Sequence, residues 1–228
     1  MKKGDLFWAA ALAALASFLL VPVTREGFVA LTKAHPYLMG FAKVAVLATM
    51  GELLALRIIR GDWAMPVGLW MRSVVWGFLG MSFTLTFDVF GSGTVAASAK
   101  GLLPAFDGVT GKVVTALLTS TLINICFAPV MMAFHRVTDT YIDLAEGRFG
   151  ALSSVRLADV VGRIDWYAFI SFVVIKTVPI FWIPAHTVTF LLPPEYRVLN
   201  SALLSIALGA ILAFAKRGAR PAATKAVA

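Results

Sequence analysis

"FWIPAHTVTFLLPPEYRV", residues 181–198, cuts into what would otherwise be one long apolar run, with Pro184, Pro193, Pro194, a histidine, two threonines and a Glu/Arg pair. Each proline inside a helix removes a backbone donor and crowds the carbonyl four residues earlier. The stretch therefore predicts a broken apolar segment that ends near Pro193, followed by a last helix.

Working outward, 60% of the 228 residues are apolar and 14% are charged, and the mean hydropathy is +0.86. Soluble domains lie far from these values. The apolar residues gather into six segments, 6–23, 38–56, 67–87, 113–134, 166–192 and 199–215. At 1.5 Å rise per residue, runs of this length cross about 30 Å of hydrocarbon. The fold class read from this pattern is an all-α polytopic membrane helix bundle. Residues 1–216 form its single domain and 217–228 a basic C-terminal tail.

Segment 6–23 follows Met1-Lys2-Lys3, as a signal peptide would, yet Val21-Pro22-Val23 is a poor small-residue cleavage site. It is read as a retained helix. With six crossings, Lys2, Lys3, Arg57, Arg60, Arg136, Arg148, Arg156, Arg163, Lys216, Arg217, Arg220 and Lys225 fall on one side. Arg25, Lys33, Lys100, Lys112 and Arg197 fall on the other. Twelve against five places both termini in the cytoplasm, because basic loops are retained there. The expected location is a bacterial inner membrane. A net charge of +8 needs no nucleic-acid partner when basic loops border anionic lipid.

Several chemistries find no support in the sequence. Cys126 is the single cysteine, so no disulfide can form within the chain and no CxxC knuckle exists. His35, His135 and His186 lack ligand spacing, so no metal is expected, and each is read as interfacial or hydrogen-bonded within the bundle. Residues 107–112, "DGVTGK", lack the first glycine and the hydroxyl residue of a phosphate loop. The paired carboxylates of "DTYIDLAEGRFG", residues 139–150, read as a solvated helix end closed by glycine. No catalytic constellation and no cofactor motif is present, so the chain is read as no enzyme.

What carries information is polarity inside the spans, where an ionisable group costs a few kcal/mol unless it faces the bundle interior or water. Lys43 and Arg72 lie close enough to span ends to snorkel. Glu52 and Arg72 sit at similar depth on neighbouring antiparallel segments, which predicts an ion pair. Lys176 lies ten residues past Trp166 and is expected to line a polar cavity. Pro129, Pro179 and Pro184 predict helix kinks, whose freed carbonyls are tolerated beside other helices or a water-filled cavity. Ser201, Ser205, Gly209 and Ala213 form a small-residue stripe, and Ala9, Ala13 and Ser17 a shorter one. Either could seat a helix of this bundle or of a second copy in a homo-oligomer.

The succession Trp182-x-Pro184-x-His186-x-x-Thr189-Phe190-x-x-Pro193-Pro194-x-Tyr196-Arg197 resembles the C-terminal signature W-P-x-x-Q-x-x-N-F-x-x-V-P-x-x-Y-R of the Mpv-seventeen family, which includes the twenty-two kilodalton peroxisomal membrane protein. His35-Pro36, Gly51-Glu52, Arg72 with Gly80, and Asn124 before Phe127-Ala128-Pro129 resemble further pieces in the family's order. His186 and Thr189 stand where the family has glutamine and asparagine. The resemblance implies a small multispanning protein with channel-like passage of small solutes.

The sequence reading is therefore a membrane channel or pore-like protein whose partners are lipids and small solutes. Glu52, Arg72, Asn124, Lys176 and His186 converge on its polar path, and their basic groups favour small anionic metabolites. The rival readings are a non-conducting structural or regulatory membrane protein and a small-solute transporter.

Overall fold

The computed structural model describes residues 2–218, which are helical with no strand among them. The basic tail expected at 217–228 lies almost wholly outside the described residues. Five helices are long and apolar enough to cross a membrane: Lys3–Leu20, Leu69–Ala99, Gly108–Cys126, Trp166–Leu191 and Pro194–Lys216. Large apolar side chains such as Phe78, Leu85, Ile125, Ile180 and Phe214 point outward and stay exposed. A bundle that turns such residues outward is built for lipid, since soluble surfaces rarely carry contiguous apolar area on this scale.

The elements in chain order are α1 (Lys3–Leu20), α2 (Pro22–Ala34), α3 (Pro36–Arg60), α4 (Leu69–Ala99), α5 (Gly108–Cys126) and α6 (Ala128–Leu144). After a 3-10 turn over Phe149–Ser154 come α7 (Leu157–Arg163), α8 (Trp166–Ala168), a π-helix over Phe169–Trp182, α9 (Ile183–Leu191) and α10 (Pro194–Gly218). Segment 38–56 falls in α3, the central rod, which packs on both α4 and α10. Half of its buried residues are small, Gly40, Ala45, Ala48 and Gly51. Small residues let helix backbones approach where no hydrophobic effect drives association. At the α3–α4 crossing, a Cβ on Gly40 would lie 2.7 Å from the carbonyl oxygen of Gly80.

Pairings along α3 set the topology. Asp5 meets Arg57 and Trp8 reaches the carbonyl of Met50, so α1 runs antiparallel to α3. Ser73 reaches the carbonyl of Ala45, so α4 is also antiparallel. Lys43 meets Glu195 and Gly51 meets Ile206, so α10 runs parallel to α3. The starts of α1 and α4 and the end of α3 therefore share one end of the bundle, called here the Asp5 end. The opposite, Arg197 end carries the α2–α3 and α4–α5 turns and the start of α10.

The folded chain adds detail to the sequence reading at several points. Segment 113–134 is not one span: it divides between α5 and α6, with Pro129 in the first turn of α6, where a missing donor costs nothing. Pro184 lies inside the continuous apolar helix Trp166–Leu191, two residues past its π stretch, where Trp182 and Ile183 keep right-handed helical backbone. Pro179 lies within the π stretch itself, where Thr177 Oγ1 donates to the carbonyl of Phe172, 2.9 Å away. The α1 stripe Ala9, Ala13 and Ser17 faces outward, because α1 packs through Trp8, Leu15 and Leu19.

Candidate functional site

Between α3, α4, α5, α6, α9 and α10 lies a cavity of about 230 Å³. Its wall is mostly aromatic and aliphatic, including Trp76, Phe83, Phe87, Phe127, Met131 and Trp182. Polar groups reach it at a few points: Glu52, Asn124, His135, His186, Ser201 and Ser205. An apolar enclosure with a few placed polar groups is the usual form of a small-molecule site.

The polar groups belong to two clusters. On one wall, Trp76 Nε1 donates to Glu52 Oε1 at 2.8 Å. His135 from α6 lies against the Trp76 ring, with centroids 4.1 Å apart. Its Nε2 faces Glu52 Oε1 at 4.0 Å and its Nδ1 faces Asp139 Oδ1 at 3.5 Å. Asp139 Oδ2 accepts from Arg72 Nη1 at 2.9 Å, and Arg72 Nη2 donates to Asp143 Oδ1 at 2.6 Å. Residues 135, 139 and 143 share a helix face because they are spaced by four.

On the other wall, Asn124 Nδ2 donates to the carbonyl of Ser120 at 2.8 Å and lies 3.0 Å from His186 Nδ1. Asn124 Oδ1 lies 3.3 Å from the same Nδ1, so the pair accommodates either tautomer: Nδ1 accepts from Asn124 Nδ2 when the His186 proton is on Nε2, and donates to Oδ1 when it is on Nδ1. His186 is 7% exposed, and its Nε2 has no hydrogen-bond partner. Ser201 Oγ, also on the cavity wall, is unpartnered as well.

The cavity thus brings Glu52, Asn124 and His186 together, and places Arg72 one step behind Glu52. Lys176 is exposed on the π-helix and lies outside the cavity. The expected Glu52–Arg72 ion pair does not form, because two carboxylates of α6 take the guanidinium. Within the stretch from Asp139 the solvated helix end holds for Asp143, Glu146 and Arg148, which are exposed, and for the glycine closure, with Gly147 at φ +70°; Asp139 departs from it and turns inward on Arg72. Two guanidiniums, Arg72 and Arg136, and three carboxylates, Glu52, Asp139 and Asp143, stand around this wall.

Lys43 is similarly committed. Its Nζ donates to Thr32 Oγ1 at 2.9 Å and to the carbonyl of Glu195 at 3.2 Å, and it lies 4.5 Å from the Phe28 ring centre. Sequence reasoning passed over His135, Trp76 and Asp139 as site residues. The four-residue spacing of His135, Asp139 and Asp143, just after a proline-marked helix start, is the signal that would have found them.

No protein-family model, curated protein or solved structure matches this chain. The opening stretch nonetheless has a physical account in its own contacts. Trp182 walls the cavity 5.0 Å from the His186 ring, Phe190 packs 5.1 Å from Phe87, and Tyr196 packs 6.0 Å from Phe28. Arg197 donates to the carbonyls of Leu192 and Phe190, at 3.0 and 3.2 Å. It satisfies orphan acceptors where α9 ends and Pro193 stops the chain from continuing as helix.

Phe87 stands at a boundary. It is a wall of the inner cavity and of two pockets at the Arg197 end, one of about 950 Å³ and one of about 350 Å³. These outer pockets carry Asp88, Lys112 and Arg197 in the first, and Lys43, Asp88 and Glu195 in the second. At the cavity's flank, α6 and α10 both contribute wall residues without packing closely on each other.

Proposed function

We propose that this protein is a gated passage for small solutes through the membrane, a channel or pore-like bundle in which solute occupies the inner cavity. The observation that carries the reading is the position of Phe87, 4% exposed, as the shared wall of the cavity and the two pockets at the Arg197 end. An apolar constriction beside a wetter compartment closes a pore by excluding water. Its rings come from two helices, Phe87 from α4 and Phe190 from α9, so a shift of α9 against α4 would part them.

The cargo that suits the cavity is neutral or cationic, because its ionisable wall groups are Glu52 and two histidines, while Lys176 lies outside. The same closure at one end favours a second reading, a transporter that opens to each side in turn. The excess of Lys and Arg at the Asp5 end supports placing both termini in the cytoplasm, in a bacterial inner membrane. The likeness of residues 182–197 to the Mpv-seventeen signature supports membership of that family and agrees with a solute passage.

The test is flux from liposomes holding the purified protein, with a size and charge series of solutes. Phe87→Ala should raise the flux of solutes small enough for the cavity. If wild type and variant, both folded and inserted, pass nothing above empty liposomes, the passage reading is wrong.

A further inference from the structure

The cavity's wall says more about its occupant than that it is small. Glu52 brings a carboxylate to one side, flanked by Trp76, with Phe83, Phe127 and Trp182 farther round the wall. Aromatic faces around a carboxylate suit an organic cation, which gains both ion pairing and cation–π attraction where water is excluded. Across the cavity, His186 presents a buried Nε2 with no partner; in the tautomer whose Nδ1 accepts from Asn124 Nδ2 it is a donor, and an unmet polar atom of this kind is costly unless a ligand meets it. We propose that the cavity binds a small organic cation carrying a hydrogen-bond acceptor, with the cationic centre at Glu52 and the acceptor at His186 Nε2, and that binding displaces a proton from Glu52 through His135 and Asp139. The proposal rests on the solute-passage reading and names its cargo.

The route of the proton follows from how His135 is placed. Its two ring nitrogens face two different carboxylates, Nε2 toward Glu52 and Nδ1 toward Asp139. One ligand atom from each of Glu52, His135 and Asp139 lies within 4.8 Å of the other two, a spacing that could also hold a metal ion. With its two nitrogens turned to two acids, the ring is equally placed to carry protons between them. Glu52 in its acid form gives its proton to Nε2 while Nδ1–H passes its own to Asp139. The glutamate is left ionised beside the arriving cation.

Asp139 then loses the proton to water; its side chain is 18% exposed and that of its neighbour Asp143 is 59% exposed, at the Asp5 end. Release of the cation runs the same transfers backward and restores the ring's first tautomer. His135 Nδ1 and Asp139 Oδ1 are buried with no hydrogen bond of full geometry, which leaves both free for the transfer. Around Glu52 the titratable and charged groups are Arg72 on α4, His135, Arg136, Asp139 and Asp143 on α6, and His186 on α9. α10 brings Ser201, Ser205 and Gly209, all uncharged.

The test uses the purified full chain and two probes, (2-acetoxyethyl)trimethylammonium and its uncharged isostere 3,3-dimethylbutyl acetate, read by tryptophan fluorescence and by proton release in weak buffer. The cation should bind and release about one proton, with affinity weakening toward tenfold per pH unit on the acid side, as one-proton linkage requires, while the isostere binds without releasing protons. Glu52→Gln should bind the cation without releasing a proton and lose the pH dependence, and Glu52→Asp should keep both. His135→Phe should slow the release, and His186→Phe should erase the preference for the acetoxy cation over pentyltrimethylammonium. Equal proton release by Glu52→Gln, or pH-independent binding in the wild type, overturns the proposal. If the cation fails to bind while neutral solutes still cross liposomes, the proposal fails and the passage reading stands.

Discussion

Arg72 Nη1 lies 2.9 Å from Asp139 Oδ2, tying α4 to α6 beside the cavity rather than to Glu52 on α3. The guanidinium also holds Asp143 and, through Nε, the carbonyl of Val67. Glu52 is thereby left to Trp76 and the cavity. The structural use of Arg72 is what makes Glu52 free to meet a solute.

Arg72→Met should therefore destabilise the bundle by about 3 kcal/mol, the usual cost of stranding a partly buried charge. The thermal midpoint in detergent reads it. Adding Asp139→Asn should recover part of the loss, because the stranded carboxylate disappears. A double variant no better than the single would mean that Asp139 is satisfied by another group.

Gly40 and Gly80 make the close crossing of α3 and α4, where a Cβ on Gly40 would lie 2.7 Å from the Gly80 carbonyl oxygen. Gly40→Val should cost about 1–3 kcal/mol through overpacking, as inserted methyls do in filled cores. Gly27→Ala is the control, since nothing lies within 4 Å of a Cβ there. It should leave the midpoint unchanged or slightly raised.

The membrane class was legible because hydrocarbon solvent demands long apolar runs, but their number was not: five helices among the described residues are long and apolar enough to cross, and residues 113–134 divide between α5 and α6. Segment 166–192 also announced its break, since Pro184 and Pro193 act on the backbone locally. Partner choice was not legible in the same way. Arg72 could meet Glu52 or Asp139 at nearly equal depth, and only the rotation of α6 about its axis decides between them. Lys176 failed as a cavity residue for a related reason: its place ten residues past Trp166 gives its depth and not the helix face it takes, and its side chain is exposed. His135 was passed over because a lone histidine carries no spacing signal until Asp139 and Asp143 are read with it.

Lys176→Ala should leave solute flux and cation binding as in the wild type, because its side chain faces away from the cavity. Glu52→Ala should lower the flux of cations relative to neutral solutes by roughly tenfold, equivalent to about 1.4 kcal/mol of lost selectivity. Ion-selective flux assays on matched liposomes compare the two. Equal effects of the two substitutions would place the solute path along the π-helix instead.

At the Asp5 end, α1 is fastened by one carboxylate. Arg57 donates to Asp5 twice, at 2.8 and 3.0 Å, and Trp63 Nε1 donates to it at 2.8 Å. Beside it, Lys2 lies 2.7 Å from Asp62 and holds that carboxyl below the usual range. Because its folded value is depressed, the contribution of Asp62 is fully present above the ordinary carboxylate range, near pH ~4, and is lost as pH falls through the lower folded value. Asp5→Asn should free the start of α1 without unfolding the rest, since α1 contributes no fully buried residue. Amide exchange should then rise in the first turns of α1 and stay unchanged in α3 and α4; protection lost throughout the bundle would instead make α1 part of the folding core.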